Sequence, residues 1–203
     1  MKIITVSRQF SSGGRELAKR LADALDFDYY DKEIISEIAK NKGLDADFVE
    51  SSLSLGSYRA IPLHFAKSFS FTFSNTGMSE LMAEEKRVIE KIVQKGRDFV
   101  IVGRNADILL KEYCPLNIFV CADLEHKINR CIEKSSDNEA LTRREIIKQM
   151  KQIDKNRSTS RSLLSSTPWG ECTNYHLTLN TSGYSIKELV PVAVSMSKIF
   201  FGE

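Results

Sequence analysis

Five short runs constrain the fold more than any other feature: "KIITV" from Lys2, "FDYYD" from Phe27, "FVIVG" from Phe99, "LNIFVCA" from Leu116 and "HLTLN" from His176. Each is rich in β-branched or aromatic residues and lacks a polar alternate face, so it reads as a strand buried on both sides. Strands of that kind belong to a parallel sheet, and a parallel sheet needs long crossovers. The intervening sequence supplies them. Residues 13–25 place Leu17, Leu21 and Leu25 on one helical face with Ala18 and Ala22 beside them, while Lys19, Arg20 and Asp23 look outward. Further helices are expected over 31–41, 79–95, 105–113, 123–134, 141–161 and 185–201. Strands alternating with helices predict a three-layer α/β fold.

A chain of 203 residues suffices for one domain with a full core and a small inserted lobe, so a single domain over 1–203 is expected. Twenty-nine basic residues against 27 acidic ones leave a net charge of +2, too little for a global field that gathers nucleic acid or a membrane; neither is an expected partner. Cys114, Cys121, Cys131 and Cys172 form no CxxC pair, and His64, His126 and His176 are dispersed, so no protein metal site is expected. No signal peptide pattern and no bilayer-length apolar run are present, which makes a reducing cytoplasm the expected compartment. Residues 44–77 break the rhythm. Phe69, Phe71 and Phe73 alternate with polar residues there, which fits either a short edge strand or a loop whose aromatic rings pack under a lid. The stretch is read as an insertion over the carboxyl edge of the sheet.

The first strand runs into "ITVSRQFSSGGRELA", residues 4–18. A loop of small residues followed by a helix lets backbone N–H groups and the helix N-terminus converge on an anion. Gly13 and Gly14 permit close backbone approach, and Ser11 and Ser12 offer hydroxyls. Arg15 falls in the first helical turn, where a cation is unfavourable unless an anion offsets it; Arg8 approaches from the loop's other end and can grip phosphate bidentately. The competing reading is a plain strand-to-helix turn, with Ser12 as N-cap and Arg15 paired to a carboxylate. Asp31, ending the second strand, stands where a dinucleotide fold binds ribose, but the GxGxxG that should accompany it is absent.

In order along the chain, "ITVSRQFSSGGRELAKRLADAL", "YYDKEII", "FVIVGRNADILL", "NIFVCADLEHKINR", "IDKNRSTSR" and "NYHLTLNTS" resemble the landmarks of cytidylate kinases, and most of all the divergent cytidylate kinase-like family of P-loop proteins. The resemblance implies a P-loop kinase fold with a five-stranded parallel core sheet, an acceptor-binding insertion including residues 44–77, and a lid over about 141–170. It implies transfer of the terminal phosphoryl group of ATP to CMP or dCMP with Mg2+. Carried over by position, Ser7 to Glu16 (Ser7, Arg8, Ser11, Ser12, Gly13, Gly14, Arg15 and Glu16 among them) fall on the ATP-binding loop, and Arg130 either faces the ATP side or is an exposed helix-end cation. Asp31, Arg104, Asn105, Asp107 and Asp154 fall on the acceptor side, and Arg15, Arg157 and Arg161 are the expected catalytic cations. Along the lid helix Arg143, Ile147, Met150, Asp154, Arg157 and Arg161 share one stripe; Arg144, Lys148, Lys151 and Lys155 form a second, read as a solvated face.

The sequence departs from that pattern at costly places. Arg8 stands where the loop's first glycine belongs, Gly14 where its lysine belongs, and Arg15 and Glu16 where small or hydroxyl residues follow. The acid after Arg104 is Asn105, with Asp107 two residues on, and the acceptor-side tyrosine and arginine after Asp31 become Ser36 and Glu37. Two alternatives to a cytidylate kinase follow: a nucleotide-binding module without transferase activity, and a kinase for another small acceptor. A third, an NAD-dependent enzyme, rests on Asp31 alone.

Overall fold

Ile3, Ile4 and Val6 of the first strand, β1 (Ile3–Arg8), are at most 1% exposed, which places that strand in the middle of a sheet covered on both faces. The computed structural model describes residues 1–53, 75–134 and 142–203. With β2 (Asp28–Tyr30), β3 (Phe99–Val102), β4 (Leu116–Cys121) and β5 (Leu177–Asn180), it forms one sheet in the order β2-β3-β1-β4-β5. Every pairing is parallel: Ile3 lies beside Phe99, Arg8 beside Val120, and Ile118 beside Leu177. All five predicted strands are present.

The helix α1 (Gly14–Leu25) follows β1. Leu17, Ala18, Leu21 and Ala22 are fully buried, as the helical stripe predicts. Burying one such leucine is worth about 1.5–3 kcal/mol, and truncating it to alanine typically costs about 2–5 kcal/mol.

Contacts divide the chain into two units, Met1–Asp31 with Arg97–Glu203, and Lys32–Gly96. The second unit holds α2 (Lys32–Lys42), α3 (Ala46–Leu53) and α4 (Asn75–Gln94), which pack on one another. The sequence reading had no helix at α3. Its signal was nonetheless present: Asp45 caps it, its carboxylate accepting from the Phe48 N–H at 3.1 Å. Phe69, Phe71 and Phe73 lie outside the described residues.

In the first unit, the expected continuous helix over 105–113 is broken into α5 (Ala106–Leu109) and a 3-10 turn, Lys111–Tyr113, that ends at left-handed Cys114 ahead of Pro115. Then come α6 (Leu124–Lys134), α7 (Arg143–Ser162) and α8 (Ile186–Phe201). Capping boxes start the last two, Thr142 with Glu145 and Ser185 with Glu188. α8 packs against α1, and Ile186, Leu189 and Ala193 join Leu17, Leu21, Ile4, Val6, Val100 and Val120 in one apolar cluster. No described helix is long and apolar enough to cross a membrane.

This strand order positions the site. From β1 the chain passes to β2 on one side of the sheet; from neighbouring β3 it crosses past β1 to β4. Adjacent strands that send the chain in opposite directions open a crevice at their carboxyl ends, where open α/β sheets bind ligands. Arg8 ends β1, and Gly103 and Arg104 follow β3.

Candidate functional site

The loop after β1 is braced from three sides. The Gln9 N–H donates to the Val120 carbonyl at 2.9 Å, and the Gln9 side-chain oxygen accepts from Lys127 Nζ at 3.0 Å. The Phe10 N–H donates to Asp154 Oδ1 at 2.7 Å. Ser12 is fully buried; its hydroxyl donates to the Gln9 carbonyl at 2.9 Å, and its carbonyl accepts from Thr181 Oγ1 at 2.8 Å. The Ser12 hydroxyl is thus turned into the protein, contrary to the expectation of a phosphate ligand, because closing the loop uses it. Ser11 and Gly13 are left-handed, with φ of 57° and 83°. Such conformations bend the backbone so that successive N–H groups share a side. Gly13 caps α1 without a side-chain hydrogen bond, and the N–H groups of Ser11, Gly13, Gly14, Arg15 and Glu16 meet no backbone acceptor among the described residues. That is a cradle of donors at a helix N-terminus.

Arginines crowd one side of it. The Arg15 Nε lies 2.5 Å from Asp31 Oδ2, and Arg8 Nη2 is 3.9 Å from Asp31 Oδ1. Asp31 is buried and also accepts from the Tyr29 hydroxyl at 3.4 Å. From α7, Arg157 Nη1 donates to the Arg8 carbonyl and to Asp154 Oδ1, each at 2.9 Å. Asp154 and Arg157 therefore clip both ends of the Arg8-Gln9-Phe10 backbone. Burial, then repulsion by Arg157, pushes the Arg8 guanidinium down to about 9; Asp31 opposes this, while Arg15 and Arg104 add to it. Arg157 is lowered by burial, which Asp154 counters and Arg15 and Arg104 reinforce. Burial raises the Asp154 carboxyl against the pull of Arg157. Four guanidinium groups, of Arg8, Arg15, Arg104 and Arg157, thus act on one another, with the carboxylates of Asp31 and Asp154 set among them.

The turn after β3 is strained. Gly103, Arg104 and Asn105 are all left-handed, with φ of 72°, 60° and 49°. For non-glycine residues that costs about 1–2 kcal/mol each, and such strain concentrates at functional sites. Hydrogen bonds hold it: the Gly103 N–H to the Val6 carbonyl at 3.0 Å, and the Asn105 side-chain amide to Ser160 Oγ at 2.9 Å.

Three expected residues do other work. Arg161 is 3% exposed; its Nη1 lies 2.5 Å from Asp107 Oδ2, its Nε and Nη2 donate to the Thr167 carbonyl and hydroxyl at 2.9 Å, and its guanidinium stacks over Tyr175. Neither Arg161 nor Asp107 joins the arginine cluster, because one helical turn beyond Arg157 they close a buried ion pair. Glu16 accepts from Arg130 and lies 3.0 Å from Arg20 and 3.5 Å from Lys134; burial raises its carboxyl, but these cations more than reverse that and hold it below the usual range. Arg130 itself stands at the loop, 3.4 Å from where a Cβ on Gly13 would lie. Ser7 is buried beneath the loop and hydrogen-bonded to Tyr175. The lysine stripe of α7 is exposed, as expected. Sequence reasoning missed the bracing residues Gln9, Lys127 and Thr181; Thr181 is 169 positions from its partner, and no local signal links them.

Solved structures share this architecture. The chain superposes on an uncharacterised protein from Eubacterium ventriosum with a TM-score of 0.71 at 20% identity, covering 98% of this chain and 99% of that one. It also matches shikimate kinases from Bacteroides thetaiotaomicron (TM-score 0.58, 13% identity, 100% and 99% covered) and Aquifex aeolicus (0.53, 16%, 100% of both). The fold is thus that of P-loop kinases. Comparison with curated proteins finds no match. The sequence pattern of the cytidylate kinase-like family matches residues 3–183. The chain belongs to the cytidylate kinase-like family. In this cytidylate kinase-like chain no three His, Cys, Asp or Glu side chains among the described residues gather as a metal cage. A magnesium ion bound to nucleotide phosphates needs only one or two protein oxygens.

Proposed function

We propose that this protein is an ATP-dependent phosphotransferase whose acceptor is a nucleoside monophosphate, with CMP and dCMP preferred. The observation that carries the reading is the gathering of mutually repelling guanidinium groups at the strained Gly103–Asn105 turn, beside a loop whose N–H groups meet no backbone acceptor among the described residues. The ATP triphosphate lies on the N–H groups of residues 11–16, with Arg130 beside Gly13. The acceptor phosphate meets Arg104 and Arg157, and Asp31 and Asp154 hold the arginines in place. Asn105 orients the turn. Magnesium bound to ATP supplies further neutralisation of phosphate charge. Phosphoryl transfer is mostly positioning and charge stabilisation, which an arginine cluster can provide. A phosphomonoester oxygen is largely ionised at neutral pH, so the acceptor needs no general base. A doubly charged acceptor also uses the positive excess better than a neutral sugar or a monocarboxylate.

The test is acceptor-dependent ADP release with Mg-ATP over a panel of nucleoside monophosphates, shikimate and neutral alcohols. CMP and dCMP should turn over best. Turnover with shikimate or an alcohol alone moves the protein to another acceptor class. ATP binding by calorimetry without turnover on any acceptor sinks the transferase reading in favour of a binding module.

A further inference from the structure

We propose that Arg8 is the catalytic cation that replaces the loop lysine, and that residue 14 is glycine because Arg8 occupies the space its side chain would need. The proposal rests on the reading of the loop as a cradle for ATP phosphates. A Cβ on Gly14 would lie 2.5 Å from Arg8 Cβ, 3.1 Å from Arg8 Cγ and 3.1 Å from Val120 Cβ. Both Cβ atoms belong to residues facing each other in the β1–β4 ladder, so neither can swing away. Gly14 sits in the first turn of α1 and not in the left-handed region, so its backbone conformation does not demand glycine. Space does. Arg8 thus excludes a lysine at 14, and its own stem starts in the volume from which that lysine would have grown.

The far end of Arg8 reaches across the crevice. A Cβ on Gly103 would lie 2.0 Å from Arg8 Nη1, so the guanidinium passes directly under the turn that carries Arg104. Arg8 therefore spans from the phosphate loop to the acceptor side, between the two phosphates that react. Arg15, the nearest rival for the lysine's role, is poorly suited: its side chain is 50% exposed and bound by Asp31 at 2.5 Å. The Arg8 side chain is 14% exposed, and its carboxylate contact is a loose 3.9 Å. Its charge is less fully matched. In the reaction the acceptor oxygen bonds to the terminal phosphorus as the bond to the bridging oxygen breaks, and that electron pair leaves with ADP. Arg8 donates hydrogen bonds to the transferring oxygens throughout and exchanges no proton, the role expected of a preorganised cation.

Two independent arms test this. In thermal unfolding, Gly14→Ala should lower the midpoint by several degrees, whereas in an Arg8→Gly background, where only the 3.1 Å Val120 contact remains, it should lower the midpoint by much less. Glycine is required at 8 because the clash is with the Arg8 Cβ. In calorimetry with Mg-ATP and with AMP, Arg8→Met, which keeps the stem, should melt like wild type yet lose about tenfold or more in ATP affinity, with AMP affinity little changed. Arg8→Gly/Gly14→Lys, which moves the cation back to 14, should recover most of the ATP preference that Arg8→Gly loses. The proposal is overturned if Gly14→Ala melts like wild type, if Arg8→Met binds ATP like wild type, or if the swap binds no better than Arg8→Gly. If wild type binds no ATP at all, the cradle reading fails and the catalytic role of Arg8 with it, while the melting arm still decides the interlock.

Discussion

Arg161 and Arg104 are both arginines near the carboxyl edge of the sheet, and replacing each by methionine should have opposite consequences. Arg161→Met leaves the Asp107 carboxylate, 7% exposed and already with one oxygen unpaired, without its cation, and strips two donors from Thr167. Removing one partner of a buried ion pair costs about 3–5 kcal/mol. At about 2–4 °C per kcal/mol for a chain of this size, the midpoint should fall by roughly 6–20 °C. Below its new midpoint, the folded variant should bind ATP and acceptor nearly as wild type does. Arg104→Met removes a charge that repels Arg8 and Arg157, so it should cost less stability than Arg161→Met while acceptor affinity falls at least about tenfold. The assay is thermal unfolding followed by far-UV circular dichroism, paired with calorimetric titration of CMP. An Arg161→Met protein as stable as wild type but deficient in CMP binding would refute the assignment of Arg161 to a structural pair.

Three further outcomes follow from the same geometry. Asp154 has its folded-state carboxyl raised above 3.8, so the native chain holds that proton to higher pH than the unfolded chain; the stability it contributes is present below 3.8 and is lost as pH rises through the folded value. The stability of Asp154→Asn relative to wild type should therefore rise from pH 4 to pH 7 in chemical denaturation, and a fall over that range would show that the Arg157 attraction outweighs burial. Ser12→Ala should cost about 1 kcal/mol of stability, read from urea unfolding, and leave ATP affinity nearly unchanged, since that hydroxyl serves the Gln9 carbonyl. Tripolyphosphate or Mg-ATP at a hundredfold excess over its dissociation constant should stabilise the fold by about 2.7 kcal/mol in thermal melts, and less at high salt; no shift with either would contradict an anion cradle.

The sheet was legible because its three central strands are buried on both faces, with Ile4, Val6, Val100 and Ile118 fully buried, whereas the edge strands β2 and β5 are only partly buried, contrary to the expectation for their runs. The loop was legible as a strand-to-helix turn from Gly13, Gly14 and an arginine at a helix start. What the sequence does not carry is direction. Helical spacing puts Arg157 and Arg161 on one stripe, yet the first reaches the Arg8 carbonyl and the second a buried carboxylate, because one turn of α7 separates the crevice from the packing beneath it. Likewise Ser11 and Ser12 look equivalent as letters, and only the closure of the loop onto Gln9 turns Ser12 inward. The helix α3 was hidden by its length, eight residues, which gives barely two turns of periodicity, although its Asp45 cap was readable.

The central claim is that this arginine-built loop transfers a phosphoryl group as well as holding one. Its most direct test is a single-turnover reaction in which ATP labelled in its terminal phosphoryl group is mixed with Mg2+, excess CMP and excess wild-type protein, and the products are separated by chromatography. The account predicts label in CDP, matched by an equal amount of ADP; label that stays in ATP, or that appears only as inorganic phosphate, would contradict it.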